Sequence, residues 1–328
     1  MAADWQYKIT DNDLINAWQK TPSATAIAKQ YGMNSRAVSR RLEKLRDTGL
    51  KLNSPVPRSP YFDVGMRVGL SETIAHARAR INVKIGTGVI LVGSDAHYWP
   101  DEITTAHRAF VKFAAQIQPD IIVMNGDIFD GASISRWPRI GWDKTPTVKE
   151  ELDACVARLG EIEKASPKSK KYWPLGNHCA RFENRIAQLV PEYEGVHGFS
   201  LKEHFINWTP CWSIMINDSL LIKHRFKTGI YHARNDTLNA GVSTCVGHLH
   251  ALNISRFSDE NGTRYGVDSG TLADPTGPQF LNYTEDCPKD WRSGFALFTF
   301  VDGKMLRPEV IEVYDDEHVD FRGQLVNV

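Results

Sequence analysis

Carboxylate, amide and imidazole side chains recur in five short motifs along this chain of 328 residues. They combine hard oxygen with borderline nitrogen donors and include no cysteine ligand, which is the donor set that divalent transition metals favour. Two such ions about 3.5–4 Å apart can share a hydroxide and clamp a phosphate between them. The pattern therefore predicts a dinuclear metal site. In chain order the motifs are Asp95-Ala96-His97, Gly126 to Asp130, Gly176-Asn177-His178, His224, and Gly247 to His250.

The motifs follow runs that are typical of buried strands. Open α/β sheets place their ligand-binding residues just past the carboxyl ends of strands. Predicted helices alternate with these strands, which favours a layered α/β domain. The strand predictions are Val89–Gly93, Ile121–Asn125, Lys171–Leu175, Ser219–Lys223 and Ser243–Val246, and the helix predictions are Ile103–Ile117, Val148–Ala165, Phe182–Leu189 and Tyr231–Ala240.

Beyond His250 the pattern changes to hairpins, which predict antiparallel strands that close a sandwich. One hairpin joins Leu252–Ser258 to Thr263–Asp268 across Asn261-Gly262. A second joins Phe295–Val301 to Pro308–Tyr314 across Asp302-Gly303.

Two motif residues, His178 and Asp130, remain once metal ligands are assigned. An imidazole oriented by a carboxylate is a common proton donor to a leaving alkoxide, and such a step contributes about 10²–10⁴-fold in rate. Isolated histidines such as His107, His204 and His232 are expected to be hydrogen-bonded or exposed instead.

The five motifs resemble the calcineurin-like metallophosphoesterase superfamily, whose pattern is D-x-H, G-D-x-x-D, G-N-H-(D/E), H and G-H-x-H. The resemblance implies a four-layer αββα sandwich and two divalent ions, manganese first, with iron, zinc or nickel as alternatives. It implies that His178 is the general acid, that Asp130 is its partner and that a metal-bridging hydroxide is the nucleophile. It also implies one ligand set of Asp95, His97, Asp127 and His250, and a second of Asp127 (bridging), Asn177, His224 and His248.

The chain departs from the family pattern at a few positions. Cys179 stands where the family usually has Asp or Glu, and Asp130-Gly131-Ala132 replaces the Asp-Arg-Gly of the Ser/Thr protein phosphatases. This change removes one phosphate-clamping arginine, for which Arg181 or Arg136 could substitute; either could instead be a surface residue. The tail from Trp291 to Gly323 looks like versions encoded in phage and bacterial genomes.

Residues 11–49 have the periodicity of three helices, with Asp11 or Asp13 placed to cap the first. A small residue, a glycine and a valine at Ala28, Gly32 and Val38 look like the helix-turn-helix pattern. Four basic residues are predicted on the exposed side of the third helix, where they could contact DNA phosphates and guanine edges. The alternative is a solvated basic helix on a packing or protein-binding module. The four residues are Arg36, Arg40, Arg41 and Lys44.

The predicted organisation is a helix-turn-helix domain at 1–50, a linker with an early strand at 51–85 and a metallophosphoesterase domain at 86–328. Net charge is zero, but residues 1–60 hold ten Lys or Arg against five Asp or Glu, a weak sign of nucleic-acid contact. Five scattered cysteines form no C-x-x-C pair. Without a signal-peptide core or a membrane-length apolar run, we expect a cytoplasmic protein.

The favoured function is hydrolysis of DNA by a phosphodiesterase that its helix-turn-helix tethers to the substrate. Aromatic residues beside the motifs, among them Tyr98, Trp99, Trp137 and Trp142, could stack bases or could pack structurally. The alternative is a phosphomonoesterase, or a cyclic-nucleotide or protein phosphatase, whose N-terminal module serves targeting or assembly. A DNA-binding regulator with a vestigial site is a third hypothesis. Oligomeric state stays open, with a dimer as one option.

Overall fold

A computed structural model describes residues 9–47, 80–136, 144–280 and 289–328. The chain divides into two compact units, residues 1–70 and residues 71–328. Most of the predicted linker, residues 51–79, lies outside the described residues.

The first unit contains three short helices, α1 (Asp11–Lys20), α2 (Ala24–Tyr31) and α3 (Ser35–Asp47). Neither Asp11 nor Asp13 is the cap of α1. Thr10 is the cap, and its hydroxyl accepts a hydrogen bond from the Asp13 amide while the Asp13 carboxylate accepts one from the Thr10 amide. This capping box supplies backbone donors at the helix start with partners. Between α2 and α3 the chain turns at Gly32, whose φ of 60° favours glycine.

The helices pack through a small apolar core that includes Leu14, Trp18, Ile27, Val38 and Leu42. The core explains why α2 and α3 are amphipathic, since each contributes one face to it.

One prediction for α3 is wrong. Arg36, Arg40 and Lys44 are exposed, but Arg41 is half-buried and its Nε donates to Asp11 Oδ1 at 2.6 Å. Arg41 directly precedes the buried Leu42, so its side chain leaves the helix beside the core, within reach of α1.

The second unit contains two mixed β-sheets. The nine-stranded sheet has the order β15-β14-β13-β11-β2-β3-β4-β5, with β12 on β11, and the six-stranded sheet has the order β1-β6-β7-β8-β10-β9. The strands are β1 (Ile81–Val83), β2 (Gly88–Gly93), β3 (Ile121–Met124), β4 (Lys170–Pro174), β5 (Thr209–Cys211), β6 (Ile214–Ile216), β7 (Leu220–Ile222), β8 (Ser243–Val246), β9 (Asn253–Asp259), β10 (Gly262–Asp268), β11 (Gly294–Val301), β12 (Lys304–Met305), β13 (Glu309–Val313), β14 (His318–Phe321) and β15 (Gln324–Asn327).

The two sheets pack face to face around one apolar core. Alternate residues of β2 and β11, among them Ile90, Val92 and Phe298, meet Ile216 and Ile222 of the other sheet in that core. Period-two alternation places these side chains on one face of each strand. The second unit is therefore a sandwich.

Helices cover both outer faces of the sandwich. The helices are α4 (Thr105–Ile117), α5 (Val148–Ala165), α6 (Cys179–Leu189), α7 (Leu201–His204) and α8 (His232–Ala240). On the nine-stranded sheet α4 contacts β2, β11, β13 and β14 and packs against α5. On the other sheet α8 contacts β8, β9 and β10. No helix in the described residues is long and apolar enough to cross a membrane.

The second predicted hairpin is confirmed, with one added strand. The chain turns at Asp302-Gly303 into β12, which pairs with the end of β11, and β13 then pairs antiparallel with the start of β11. A final hairpin, β14–β15, was not predicted, because its short exposed strands carry little apolar alternation.

Candidate metal centre

The five motifs meet at one edge of the sandwich. Strands β2, β3 and β4 run parallel, so their carboxyl ends reach the same edge, and β7 and β8 run parallel in the facing sheet. Hydrogen bonds tie the loops together: Asp95 N donates to Gly126 O at 3.1 Å, His97 N to Asp127 O at 2.9 Å, and Gly247 N to His224 O at 2.9 Å. Motifs that follow one another in the sequence therefore lie at the ends of strands that are neighbours in the sheets.

Five of the predicted ligands have left-handed backbone conformations. This region of φ is uncommon for residues with a side chain and costs free energy, so it persists only where the surroundings fix it. Here it turns successive side chains of each short loop toward a common point. The residues are Asp95 (φ 51°), His97 (39°), Asp127 (47°), His248 (72°) and His250 (58°).

Three motif glycines make room for ligands of other motifs. A Cβ at Gly126 would overlap the His224 ring, one at Gly176 would overlap Asp127, and one at Gly247 would overlap Asp95. The glycines that precede Asp127, Asn177 and His248 are thus required by close packing between loops.

The first group of candidate ligands is Asp95, His97 and His250, all buried. Asp95 Oδ1 lies 3.1 Å from His250 Nε2 and 3.9 Å from His97 Nε2. Asp95 Oδ2 accepts hydrogen bonds from the His248 amide at 2.8 Å and from the Ser94 hydroxyl. The backbone and Ser94 thus fix this carboxylate in position.

The second group is Asp127, His224 and His248. Asp127 Oδ2 lies 3.0 Å from His224 Nε2, and Asp127 Oδ1 accepts a hydrogen bond from the His178 amide at 2.7 Å. His224 Nε2 also lies 3.9 Å from Asp95 Oδ1, which links the two groups.

The donor atoms fit metal ions. Among the described residues His97 Nε2 and Asn177 Oδ1 are buried and have no hydrogen-bond partner, although buried polar atoms normally have one. His224 Nε2 is also buried and makes no well-directed hydrogen bond, although Asp127 Oδ2 lies 3.0 Å away. The other ring nitrogens are occupied: His97 Nδ1 donates to Asp130 Oδ1 at 2.8 Å and His224 Nδ1 donates to Asn125 O at 2.7 Å. Such contacts fix the tautomer that leaves the Nε2 lone pair for a metal.

Mutual attraction controls protonation in the two groups. Burial alone would lower the pKa of His97 and of His224, but neighbouring carboxylates raise them to about 10 and about 9. Burial opposes ionisation of Asp95 and Asp127, yet the imidazoles hold both carboxyl pKa values well below the usual range. Burial and the charge of His224 lower the pKa of His248 to about 4. Buried carboxylates and cationic imidazoles therefore compensate one another in the metal-free protein.

A third group lies beside the first and contains His178 and Asp130. Asp130 Oδ1 accepts from His178 Nδ1 at 2.9 Å and also from His97 Nδ1 at 2.8 Å. Arg181 donates to Asp130 O at 2.9 Å and lies 2.9 Å from His178 Nε2. Because a guanidinium only donates, His178 Nε2 is the acceptor of this bond. The structure thus brings Arg181 onto the predicted acid–carboxylate pair.

Glu151, which was not predicted, holds the loop that follows Asp130. Its carboxylate is buried and accepts hydrogen bonds from the Gly131 amide at 2.6 Å and the Ala132 amide at 3.0 Å. Burial, together with the charge of Asp130, raises its pKa to about 8. Glu151 lies on α5, 20 residues beyond Gly131, so no local pattern in the sequence links the two.

Two aromatic side chains pack against the histidines of the first ligand group. The Phe280 ring lies 5.0 Å from His97 and 5.3 Å from His250, and the Trp291 ring lies 4.7 Å from His250. Sequence analysis missed both because they come from the region after the last motif.

Tyr98 and the isolated histidines lie outside the ligand groups. Arg136 is exposed. Tyr98 is buried and its hydroxyl contacts His107, so it packs structurally, and Trp99 lines a different surface cavity beside α5. His204 contacts Gly198 O and His232 contacts Asp268, as expected for satisfied histidines. Trp137 and Trp142 lie outside the described residues.

Comparison with known proteins agrees with this geometry. The family model for calcineurin-like phosphoesterases matches residues 88–268, more than half of the chain. The chain belongs to this family. Its members bind two divalent metal ions, and the protein is accordingly a metal-dependent phosphoester hydrolase.

Phage proteins are among the relatives. The Gene 54 protein of Mycobacterium phage L5 is 23% identical over 233 residues, which cover 63% of this chain and 86% of that protein. The Gene 54 protein of Mycobacterium phage D29 is 23% identical over 232 residues, with the same coverage.

Two solved structures show distant similarity. The Escherichia coli phosphoesterase YfcE is 14% identical, with a TM-score of 0.32, and the match covers 67% of this chain and 97% of YfcE. A Saccharomyces cerevisiae protein serine/threonine phosphatase is 11% identical, with a TM-score of 0.36, and the match covers 86% of this chain and 97% of the yeast chain.

Gly176→Ala tests the packing between loops. The new Cβ overlaps Asp127, so we expect the carboxylate to shift and Mn²⁺ affinity to fall about 10–100-fold, the range seen when the supports of metal ligands are lost. Titration calorimetry measures the affinity. Gly160→Ala is the matched control, because a Cβ in that helix meets nothing within 4 Å. Equal affinities of the two variants would contradict this role of Gly176.

Metal binding should release protons. His97 and His224, with pKa values raised to about 10 and about 9, are protonated at pH 7 and must lose their protons to ligate. We expect release of about two protons at pH 7 and an Mn²⁺ affinity that rises with pH up to about 10. Calorimetry in buffers with different ionisation enthalpies counts the protons, and His224→Asn should release about one fewer. Binding heats that do not depend on the buffer would refute the prediction.

Proposed function

We propose that this protein is a dinuclear-metal phosphodiesterase that cleaves DNA. The observation that carries the proposal is the set of orphaned, buried donor atoms gathered around Asp95 and Asp127, beside a histidine held by a carboxylate. This arrangement supports a site that activates water and protonates a leaving oxygen.

The proposed ligand sets share Asp127. One proposed ligand set is the buried group of Asp95, His97 and His250 together with Asp127. The other set is Asp127 with His224, His248 and Asn177. When bound, the two ions lower the pKa of water to about 7, so that hydroxide is available at neutral pH, and they hold the phosphate. Asp127 is suited to the bridging position because its two oxygens face different partners.

His178 is proposed to deliver the proton to the leaving oxygen. Asp130 holds its Nδ1, which leaves Nε2 as the atom that faces Arg181. A phosphate oxygen is a stronger acceptor for a guanidinium than a neutral imidazole is, because the hydrogen bond is then charge-assisted on both sides. Arg181 is therefore proposed to turn toward bound phosphate. This frees His178 Nε2 to take up a proton from solvent, which His178 then gives to the leaving oxygen. Arg136 remains a second candidate for phosphate contact.

The first unit is proposed to bind DNA as a helix-turn-helix. Arg36, Arg40 and Lys44 are exposed on α3, and Gly32 makes the turn that precedes this helix. Arg41 is committed to Asp11, so its proposed role shifts to holding α3 against α1. A tether of this kind raises the local concentration of DNA without altering the chemistry.

Cleavage of DNA tests the proposed function directly. Protein loaded with Mn²⁺ should cut single- or double-stranded DNA on a gel, EDTA should stop the cutting, and Asp127→Asn should reduce it to background because the shared ligand loses its charge. Asp302→Asn is the matched control, since Asp302 lies in an exposed turn and also has a positive φ. Intact DNA together with rapid hydrolysis of p-nitrophenyl phosphate would favour the phosphomonoesterase alternative.

Salt dependence tests the DNA tether. Each lost phosphate contact should lower the slope of log affinity against log salt by about 0.9. We therefore expect a slope lowered by about 2–3 when Arg36, Arg40 and Lys44 are all changed to Gln in the full chain, as measured by fluorescence anisotropy with labelled duplex. The control changes three exposed lysines of the second unit, Lys149, Lys164 and Lys304, to Gln. An unchanged slope in the α3 variant would leave the first unit with an assembly role.

A further inference from the structure

A surface cleft of about 430 Å³ opens beside the second ligand group. Two proposed metal ligands, Asn177 and His224, form part of its wall. The remainder of the wall includes Trp212, Lys223, Arg225 and Asn184. The volume lies in the range of sites that hold small molecules, about 300–1,000 Å³.

Trp212 gives the cleft an aromatic surface. It lies where the chain crosses from β5 of one sheet to β6 of the other. Backbone bonds hold the residue on either side: Cys211 O accepts from Leu175 N at 2.8 Å, and Ser213 O accepts from Ile81 N at 2.9 Å. The indole is nevertheless 43% exposed. A large ring that extends from a fixed backbone and is open to solvent is suited to stacking on a ligand.

The charge of the cleft favours an anion. Lys223 and Arg225 flank His224 in sequence and line the cleft, and the described lining residues include no carboxylate. The Lys223 ammonium lies 4.6 Å from the centre of the Phe226 ring, which limits its position. The metal centre is proposed to take one phosphate. Arg225 is exposed and is available for another, while Lys223, whose charge also faces Asp236, adds positive charge to the wall.

We propose that the cleft binds the nucleotide next to the scissile phosphate, with its base on Trp212 and its second phosphate near Lys223 and Arg225. The inference rests on the proposed function, which it deepens by naming the specificity residues. A nucleic acid supplies an aromatic base and a further phosphate at each residue, whereas a phosphopeptide supplies no regular second phosphate. The cleft therefore fits a nucleotide better than a phosphoprotein.

Two diesters with the same leaving group test the stacking. The p-nitrophenyl esters of thymidine 5′-phosphate and of methyl phosphate differ only in the nucleoside, so the ratio of their kcat/KM values reports on the base. Base stacking contributes about 1–3 kcal/mol, and Trp212→Ala should lower this ratio about 5- to 160-fold. Trp212→Phe should recover part of the loss. Tyr314→Ala, which removes an exposed ring far along the chain, should leave the ratio unchanged.

Equilibrium binding gives a second readout that needs no turnover. Thymidine 3′,5′-bisphosphate has no diester bond, and its affinity in EDTA should fall about 5- to 160-fold in Trp212→Ala. It should also fall in Arg225→Ala, and be unaffected in Tyr314→Ala.

The outcomes separate the subsite from the proposed function. Bisphosphate binding that is equal in wild type and Trp212→Ala would overturn the subsite, as would an unchanged diester ratio. Phosphotyrosine that competes with the bisphosphate in a Trp212-dependent way would reassign the cleft to a phosphoprotein. Failure of the wild type to cleave either diester with Mn²⁺ would overturn the phosphodiesterase proposal, and the binding measurement would still decide whether the cleft takes a nucleotide.

Discussion

The structure of the second unit depends on the burial of carboxylates. Asp95, Asp127 and Asp130 are at most 3% exposed, and an ionised carboxylate removed from water is strongly unfavourable unless it is compensated. Compensation comes from backbone amides at His178 and His248 and from surrounding imidazoles. The loops must therefore pack closely against one another. This close packing requires left-handed backbone conformations, which cost free energy, and glycines at positions where a Cβ would overlap a neighbouring loop.

The sandwich meets this demand because its strands end together. Both sheets contribute apolar side chains to one core, and this packing fixes their carboxyl ends relative to each other. Short loops can then bring ligands from both sheets within 4.8 Å of one another. A single sheet would place its ligands along a line, whereas two facing sheets enclose a volume.

The sequence predicted the centre better than its surroundings. Each motif combines a strand end, a glycine and a donor side chain, so local pattern and chemistry pointed to the same residues. Contacts between distant segments were not predictable in this way: Glu151 below the Gly131 loop, Phe280 and Trp291 beside His250, and Arg41 on Asp11 depend on tertiary distances that no periodicity encodes. Trp212 is a further case, because nothing in its neighbourhood in the sequence marks it as lying beside Asn177.

The Asp130 carboxylate limits which substitutions the site can accept. One oxygen, Oδ1, accepts from the rings of both His97 and His178. The orientation of a proposed ligand and that of the proposed acid therefore depend on the same oxygen. Substitutions that alter Asp130 would be expected to affect metal binding and proton delivery together. Variants of this protein with new substrates would consequently be expected to change at Trp212 or Arg225, where specificity can vary while the shared carboxylate stays constant.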